Sequence, residues 1–283
     1  MQNVRIAVVQ STWNGSCEAM MAQYRALLAG VHAQIICLPE FSLLPYFPSS
    51  RDRDGFRWAE PLTDGRAGRF FAALAQEQNA YVIGSFFETA APDVYFDTAV
   101  IYAPQGSRVG CTRKVHIPSG EGYNETDFFG GGSDYPVHDL GLIKVAAPTC
   151  YDQWFPEMAR ICALNGAEFV FYPTAIGSEP TDPSIDTADA WQTVMRGHAI
   201  ANGLYIAAAN RVGVEPPVTF YGSSFICDPM GRILAQAGRN TTEVITAELD
   251  ARLFDHWRAL FPLLRQRRPG TYGRLIESVE AEP

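Results

Sequence analysis

The 283-residue sequence has little charge and almost no lysine. Charged residues make up 19% of the chain, whereas soluble domains usually carry about 25%. Only two of the 22 basic residues are lysine, namely Lys114 and Lys144. Hydrophobic residues reach 47% and aromatic residues 12%. This composition excludes a disordered chain, a collagen and a coiled coil, and it predicts a thick hydrophobic core.

Several targeting and partner signals are missing as well. No signal-peptide core follows the N-terminus, and no apolar run approaches the ~18 residues of a membrane span. The six cysteines include no Cys-x-x-Cys pair. We therefore predict a cytoplasmic protein with free thiols and no membrane partner. The formal net charge of −9 argues against a nucleic-acid partner and is compatible with a cationic small molecule.

The sequence motifs typical of metal and nucleotide sites are also absent. The five histidines show no His-Glu-x-x-His spacing, and neither a P-loop nor a Gly-x-Gly-x-x-Gly fingerprint occurs. The run Gly222-Ser223-Ser224 is not the nucleophile elbow of a serine hydrolase. The sequence therefore predicts neither a metal site nor nucleotide-dependent chemistry.

Short apolar runs alternate with amphipathic stretches along the whole chain. This alternation in the first half, followed by a run of strands, indicates an α/β fold with a mixed sheet. No internal boundary stands out, so residues 1–283 are expected to form one domain, although the composition turns basic after residue 250. The predicted strands cover residues 4–9, 34–38, 80–87, 98–102, 108–115, 142–147, 168–172, 204–208, 223–227, 233–235 and 243–249, and the predicted helices cover 17–28, 68–78, 157–164 and 187–202.

Two predicted strands lead directly into a side chain of reactive type. The strand over 34–38 is followed by Glu40, and the strand over 142–147 is followed by Cys150. In open α/β sheets, the carboxyl ends of strands face the ligand crevice. Pro156 suits the first turn of the next helix, and a thiol near a helix N-terminus favours its thiolate form. We therefore predict that Cys150 is reactive and that the other five cysteines are inert.

Lys114 lies at the end of the predicted strand over 108–115. A single lysine is usually a solvated surface cation. In a chain that otherwise uses arginine, however, a lysine at a strand end is a candidate to donate to an oxyanion and to exchange protons, which arginine does not do. Lys144 lies mid-strand and is expected to be structural. Glu125 falls in a long loop over 116–139 and would by itself be taken as solvated.

Four separated motifs together resemble the nitrilase (carbon–nitrogen hydrolase) superfamily. They are Leu38-Pro39-Glu40, the segment 113–118, Gly122-Tyr123-Asn124-Glu125 and the segment 150–157. Further segments resemble the N-carbamoylputrescine amidase branch of that superfamily. These are 172–180, Gly197-His198-Ala199 with Asn202, Asn210-Arg211 and 221–225. The resemblance extends over essentially the whole chain, with the motifs in matching order.

The resemblance implies a four-layer αββα sandwich with mixed sheets. It also implies a homodimer or a larger homo-oligomer, in which the C-terminal segment 251–283 packs on a partner subunit. A catalytic Glu-Lys-Cys set is carried over onto Glu40, Lys114 and Cys150, with Glu125 as an accompanying second carboxylate. No metal ion or organic cofactor is expected.

These residue types suit the hydrolysis of an amide. Glu40 would take the proton from Cys150 and later activate water, while Cys150 would attack the carbonyl carbon. Lys114 and the backbone N–H of Tyr151 would hold the oxyanion, and Glu125 would hold Lys114 in place. The residues expected to contact the substrate are Tyr151, Trp154 and Glu179.

The leading hypothesis for the substrate is N-carbamoylputrescine, a precursor in polyamine synthesis. Three features depart from that branch: Tyr151 stands where tryptophan is usual, and the segments 41–47 and 128–134 differ. These segments would shape the distal pocket, so another linear amide or an N-carbamoyl acid, such as an ω-amide or β-ureidopropionate, is left open. An anionic substrate would need an arginine in the pocket, whereas an acid-lined pocket would favour the amine. A binding or scaffold protein without turnover is the non-enzyme alternative.

Overall fold

Two six-stranded sheets form the centre of the computed structural model, which describes residues 2–279. The last four residues of the predicted partner-binding segment, 280–283, lie outside the described residues. The strands are β1 (Val4–Gln10), β2 (Ile35–Cys37), β3 (Tyr81–Ala91), β4 (Val94–Tyr102), β5 (Arg108–Arg113), β6 (His138–Asp139), β7 (Lys144–Ala146), β8 (Phe169–Pro173), β9 (Tyr205–Ala209), β10 (Val212–Glu215), β11 (Val218–Tyr221), β12 (Phe225–Cys227), β13 (Ile233–Gln236) and β14 (Glu243–Leu249). The α-helices are α1 (Cys17–Leu28), α2 (Arg66–Gln78), α3 (Pro156–Leu164), α4 (Ala188–Asn202) and α5 (Ala251–Leu260).

Both sheets are mixed. The first has the order β14-β1-β2-β3-β4-β5 and the second the order β13-β12-β9-β8-β7-β6. In the first sheet, β1, β2 and β3 are parallel neighbours, and in the second β7, β8 and β9 are parallel. Antiparallel strands complete each sheet on both sides. The predicted α/β class with mixed sheets is therefore confirmed.

Alternation along the strands explains the layers. In β1, Ile6 and Val8 belong to the core between the sheets, whereas Ala7 and Val9 pack in the cluster that contains the buried faces of α1 and α2. Successive side chains of a strand point to opposite faces, so a strand buried on both sides is apolar throughout. In the second sheet, Phe171 faces the central core and a separate cluster contains the buried faces of α3 and α4. The order of layers is helix, sheet, sheet, helix.

The structure adds one hairpin and lengthens another. Strands β10 and β11 pair with each other, but the sequence did not predict them because their four-residue strands contain Gly213 and surround Pro216-Pro217, which interrupt the apolar alternation. Strand β4 also begins four residues before the predicted strand over 98–102 and pairs along most of β3. All six cysteines are free. Among residues 2–279, the structure contains no helix with the length and apolar character needed to cross a membrane.

Candidate active site

Three strand ends bring the predicted reactive residues together. Glu40 lies just beyond β2, Lys114 follows β5 in the same sheet, and Cys150 follows β7 of the other sheet. Glu125 opens a short 3₁₀ turn in the long loop. Side chains of Glu40, Lys114 and Glu125 are fully buried, and Cys150 is 6% exposed. Strand ends of both sheets therefore contribute to one site.

Lys114 is the centre of the charge cluster. Its Nζ donates to Oε1 of Glu40 at 2.8 Å and to Oε2 of Glu125 at 2.5 Å. Oδ2 of a third carboxylate, Asp97, lies 3.5 Å from the same nitrogen. Glu125 is anchored on its other oxygen, because the hydroxyl of Tyr46 donates to Oε1 at 2.8 Å. The ammonium is thus fixed by three buried carboxylates.

Burial and charge act in opposite directions on this cluster. Burial alone would lower the pKa of Lys114, but Glu125, Glu40, Cys150 and Asp97 outweigh it and hold that pKa well above its ordinary value. Burial raises the pKa of Glu40 well above its ordinary value, with further increases from Asp97 and Glu125 that Lys114 only partly offsets. The pKa of Glu125 is raised by the same burial. Lys114 therefore stays charged, while Glu40 has an unusually high affinity for a proton.

Cys150 sits in a sharp turn between β7 and α3. It has a φ of +44°, and Phe41, directly after Glu40, has a φ of +45°; non-glycine residues in this left-handed region cost about 1–3 kcal/mol each and cluster at functional sites. The thiol contacts the carbonyl oxygen of Ala175 at 3.7 Å. Strained backbone therefore occurs at Cys150 itself and directly after Glu40.

The prediction that Cys150 favours its thiolate form is wrong. Burial raises the pKa of the thiol well above its ordinary value, Glu40 raises it further, and Lys114 lowers it only in part. Helix α3 begins six residues later, at Pro156, and Cys150 itself opens a 3₁₀ turn over Cys150–Trp154. The thiol is too deeply buried for a helix terminus to decide its charge, so it needs a base to lose its proton.

Asp152 joins the nucleophile turn to the lysine segment. One of its oxygens accepts from the backbone N–H of Thr149 at 3.1 Å, and the other accepts from the backbone N–H of His116 at 2.9 Å. The His116 ring also contacts this carboxylate at 2.7 Å and stacks on Phe155 at 3.6 Å. Asp152 is fully buried. It therefore ties the turn at Cys150 to the segment that carries Lys114.

A cavity of about 570 Å³ opens onto Cys150. Its lining includes the three residues predicted to contact the substrate, Tyr151, Trp154 and Glu179. Two other acids, Glu121 and Glu125, also line it. Among the described residues, no arginine or lysine is part of the lining. The remaining lining residues are Pro118, Ser119, Gly120, Tyr123, Ala175, Ile176 and Thr181.

The acidic cluster has the spacing of a metal site but already contains a cation. One carboxylate oxygen from each of Glu40, Asp97 and Glu125 lies within 4.8 Å of the others. The Lys114 ammonium is within 3.5 Å of all three residues. The position that a metal ion would take between them is therefore held by Lys114 Nζ.

Sequence reasoning missed Asp97, Tyr46 and the role of Asp152. Asp97 carried a usable signal, because it is a carboxylate inside strand β4, whose other residues apart from Thr98 are apolar or aromatic. A buried charge needs a partner, so an acid in this strand indicates a cation or a hydrogen-bond donor beside it. Tyr46 carried no such signal, since it lies in an apolar segment before a turn and only the folded loops bring it to Glu125.

The fold and the site together define a hydrolase of carbon–nitrogen bonds. The carbon-nitrogen hydrolase family model matches residues 5–259, and the chain belongs to that family within the nitrilase superfamily. It is 38% identical to the citrullinase of Francisella tularensis subsp. tularensis, over 98% of this chain and 99% of that protein. It is 36% identical to the N-carbamoylputrescine amidase of Arabidopsis thaliana, over 97% of this chain and 96% of that protein. A carbon-nitrogen hydrolase structure from Helicobacter pylori G27 matches with a TM-score of 0.92 and 35% identity, over 98% of this chain and 99% of that one.

Proposed function

We propose that this protein hydrolyses N-carbamoylputrescine to putrescine, carbon dioxide and ammonia, as a step of polyamine synthesis. The observation that carries the proposal is the cavity at Cys150, which is lined by Glu121 and Glu179 and by no cation in the described chain. N-carbamoylputrescine has a neutral ureido group at one end and an ammonium at the other. Carboxylates near the distal end of the substrate attract that ammonium, and the relative from Arabidopsis thaliana bears the name of this activity.

The first chemical step would form a covalent intermediate. Glu40 takes the proton of Cys150, and the sulfur attacks the ureido carbon. Lys114 and the backbone N–H of Tyr151 donate to the oxyanion, since the first N–H groups of a helical turn have no partner within it. The bond between the ureido carbon and its NH2 group then breaks, and the NH2 group takes the proton held by Glu40 and leaves as ammonia. The product of this step is an S-carbamoyl enzyme.

The second step would release the amine. Glu40 takes a proton from water, whose oxygen attacks the thiocarbamate carbon, and the C–S bond breaks with return of a proton to the Cys150 sulfur. The carbamic acid that results loses carbon dioxide to give putrescine. Glu125 accepts from both Lys114 and Tyr46, so in this mechanism it fixes the oxyanion donor.

Citrulline is the second candidate substrate, because a relative named citrullinase is 38% identical over nearly the whole chain. Citrulline carries the same ureido group, and its distal end adds a carboxylate beside the ammonium. That carboxylate would face Glu121 and Glu179 without a cation from the cavity lining. The charge of the lining therefore supports the amine over the amino acid.

Ammonia release by purified protein tests the proposal. The panel contains N-carbamoylputrescine, citrulline, β-ureidopropionate and an ω-amide, with the Cys150→Ala variant as the blank. We expect the highest kcat/KM for N-carbamoylputrescine. Release from another compound alone would reassign the substrate and leave the hydrolase chemistry in place.

A scaffold without turnover is tested by thiol labelling. All six cysteines are free. Cys150 lines the cavity and has Glu40 and Lys114 beside it, whereas four of the other five are buried in the core. We expect iodoacetamide to modify Cys150 faster than the other five. Equal rates, together with no ammonia release from the panel, would favour the non-enzyme alternative.

We also propose that the protein is a cytoplasmic homodimer or larger homo-oligomer in which the segment from residue 251 onward packs on a partner. The described part of this segment exposes large apolar side chains, among them Leu275 at 64% and Ile276 at 91%. Such a patch is typical of an interface. Light scattering after size-exclusion chromatography should give a multimer that Ile276→Asp dissociates, while Val214→Asp, at a 67% exposed position on β10, leaves it intact. A monomeric wild type would contradict the proposal.

A further inference from the structure

Asp97 holds Lys114 at two points. The backbone N–H of Lys114 donates to the Asp97 carbonyl oxygen at 2.9 Å, and Oδ2 of the Asp97 side chain lies 3.5 Å from Lys114 Nζ. Its other oxygen, Oδ1, accepts from the Ser85 hydroxyl at 2.9 Å. Asp97 is fully buried on β4. One residue therefore contacts both the backbone N–H and the ammonium of Lys114.

The cluster has more negative charge than its cation neutralises. Glu40, Asp97 and Glu125 surround one ammonium, and all four side chains are fully buried. Both oxygens of Glu125 accept hydrogen bonds. Within the described chain, however, Oε2 of Glu40 and Oδ2 of Asp97 accept none. Buried carboxylate oxygens without a donor are costly, so these two oxygens are a place where a proton would be strongly held.

The carboxylates of Glu40 and Asp97 are near neighbours in the cluster. One carboxylate oxygen of Glu40 and one of Asp97 lie within 4.8 Å of each other, and Asp97 is among the causes that raise the pKa of Glu40. A neighbouring carboxylate makes it harder for Glu40 to ionise, so Glu40 binds a proton more strongly with Asp97 beside it. The pair is then satisfied and its net charge falls by one.

We propose that Asp97 is a positioning residue for catalysis, which shares with Glu40 the proton that Glu40 takes from Cys150. This inference rests on the proposed role of Glu40 as the base, but it does not depend on which amide is the substrate. The S–H bond of Cys150 breaks as the S–C bond forms, and the proton is held between the Glu40 and Asp97 carboxylates. It then moves to the leaving nitrogen as the C–N bond breaks. Asp97 thus strengthens the base that a buried thiol requires.

The pH profile of kcat/KM separates this role from a structural one. The titratable groups that face Glu40 are Lys114, Asp97, Glu125, Cys150 and Tyr46. Activity needs Glu40 deprotonated, so it rises with pH through the raised pKa of Glu40. Asp97→Asn removes a like charge beside Glu40, and the acid limb should move to lower pH by about one unit. The weaker base should also lower kcat by roughly tenfold at the plateau, with little change in KM.

The matched control is Asp228→Asn. Asp228 is another fully buried aspartate, at the end of β12, where it pairs with Arg232. It lies outside the cluster, so this variant should keep the wild-type acid limb even if it is less stable. The Asp97→Ser variant, whose side chain is neutral and smaller, should move the acid limb in the same direction. It replaces Asp97→Asn if the asparagine variant fails to fold.

An acid limb of the Asp97 variants that coincides with the wild-type limb overturns the proposal, whatever happens to kcat. A Glu40→Gln variant that keeps wild-type turnover instead overturns the role of Glu40 as the base, and with it this inference. Any amide that the wild-type protein turns over can serve as the substrate. A wrong substrate assignment is therefore distinguishable from a failure of the Asp97 proposal.

Discussion

The buried cluster around Lys114 and the outer wall of the same cavity are built on opposite principles. Side chains of Glu40, Lys114 and Glu125 are fully buried and fixed by ion pairs of 2.5 to 2.8 Å. On the outer wall, Tyr151 is 37% exposed, and Glu179 is half-buried with one hydrogen bond, from the Thr187 hydroxyl at 3.3 Å. The side chains of the cluster are held in place by the core, whereas those of the wall have few contacts that would constrain their identity. We infer that the cluster sets the chemistry and the wall selects the substrate.

The largest expected effect is the loss of the nucleophile. Cys150→Ala should reduce turnover by about 10⁴-fold or more while the protein stays folded. The matched control is Cys227→Ala in β12, a buried cysteine of the core; it should stay active and lose about 1–2 kcal/mol of unfolding free energy. Ammonia release and urea unfolding measure the two quantities. Comparable activity losses in both variants would remove the distinction between the site and the core.

The two lysines give the next contrast, in stability. Lys114→Met leaves three buried carboxylates without their cation, so the free energy of unfolding should fall by about 3–5 kcal/mol near neutral pH. The loss should shrink as pH falls, because protonation removes the unpaired charge. Lys144 is exposed, and Lys144→Met should change the same quantity by no more than about 0.5 kcal/mol. Equal losses in urea unfolding would contradict the burial argument.

Glu179→Gln tests the outer wall and should act on binding alone. It removes the charge but keeps an oxygen to accept from Thr187, so kcat and the unfolding midpoint should stay unchanged. The KM for N-carbamoylputrescine should rise by roughly threefold to tenfold, which corresponds to one charge-assisted hydrogen bond at a partly solvated site. The control substrate is the same ureido compound with an uncharged tail, whose KM should not change. A proportional rise in both KM values would mean that Glu179 shapes the wall and does not bind the ammonium.

The sequence predicted what depends on local pattern. The bounds of α1 were predicted residue for residue, because Ser16 caps it and its buried face repeats at helical spacing. The strand ends that carry Glu40, Lys114 and Cys150 were predicted from apolar runs. Those residues lie together as expected, although their catalytic roles stay predictions. The cavity lining likewise contains Tyr151, Trp154 and Glu179.

The features that could not be predicted from the sequence depend on contacts between distant segments. Asp97 meets Lys114 because β4 and β5 are antiparallel neighbours, and Tyr46 reaches Glu125 across 79 residues of chain. The charge state of Cys150 was predicted wrongly for the same reason. A helix terminus is visible in the sequence, whereas the burial and the neighbouring carboxylates that raise the thiol pKa exist only in the folded structure.

The most direct test of the division between cluster and wall is the ratio of kcat/KM for N-carbamoylputrescine to that for citrulline. The two substrates share the reacting ureido group and differ in the distal carboxylate, so the cluster treats them alike and only the wall discriminates. We predict a ratio of about 100 or more for the wild-type protein, because an uncompensated like charge costs several kcal/mol, and a smaller ratio for Glu179→Gln. A wild-type ratio of one or below would contradict the account.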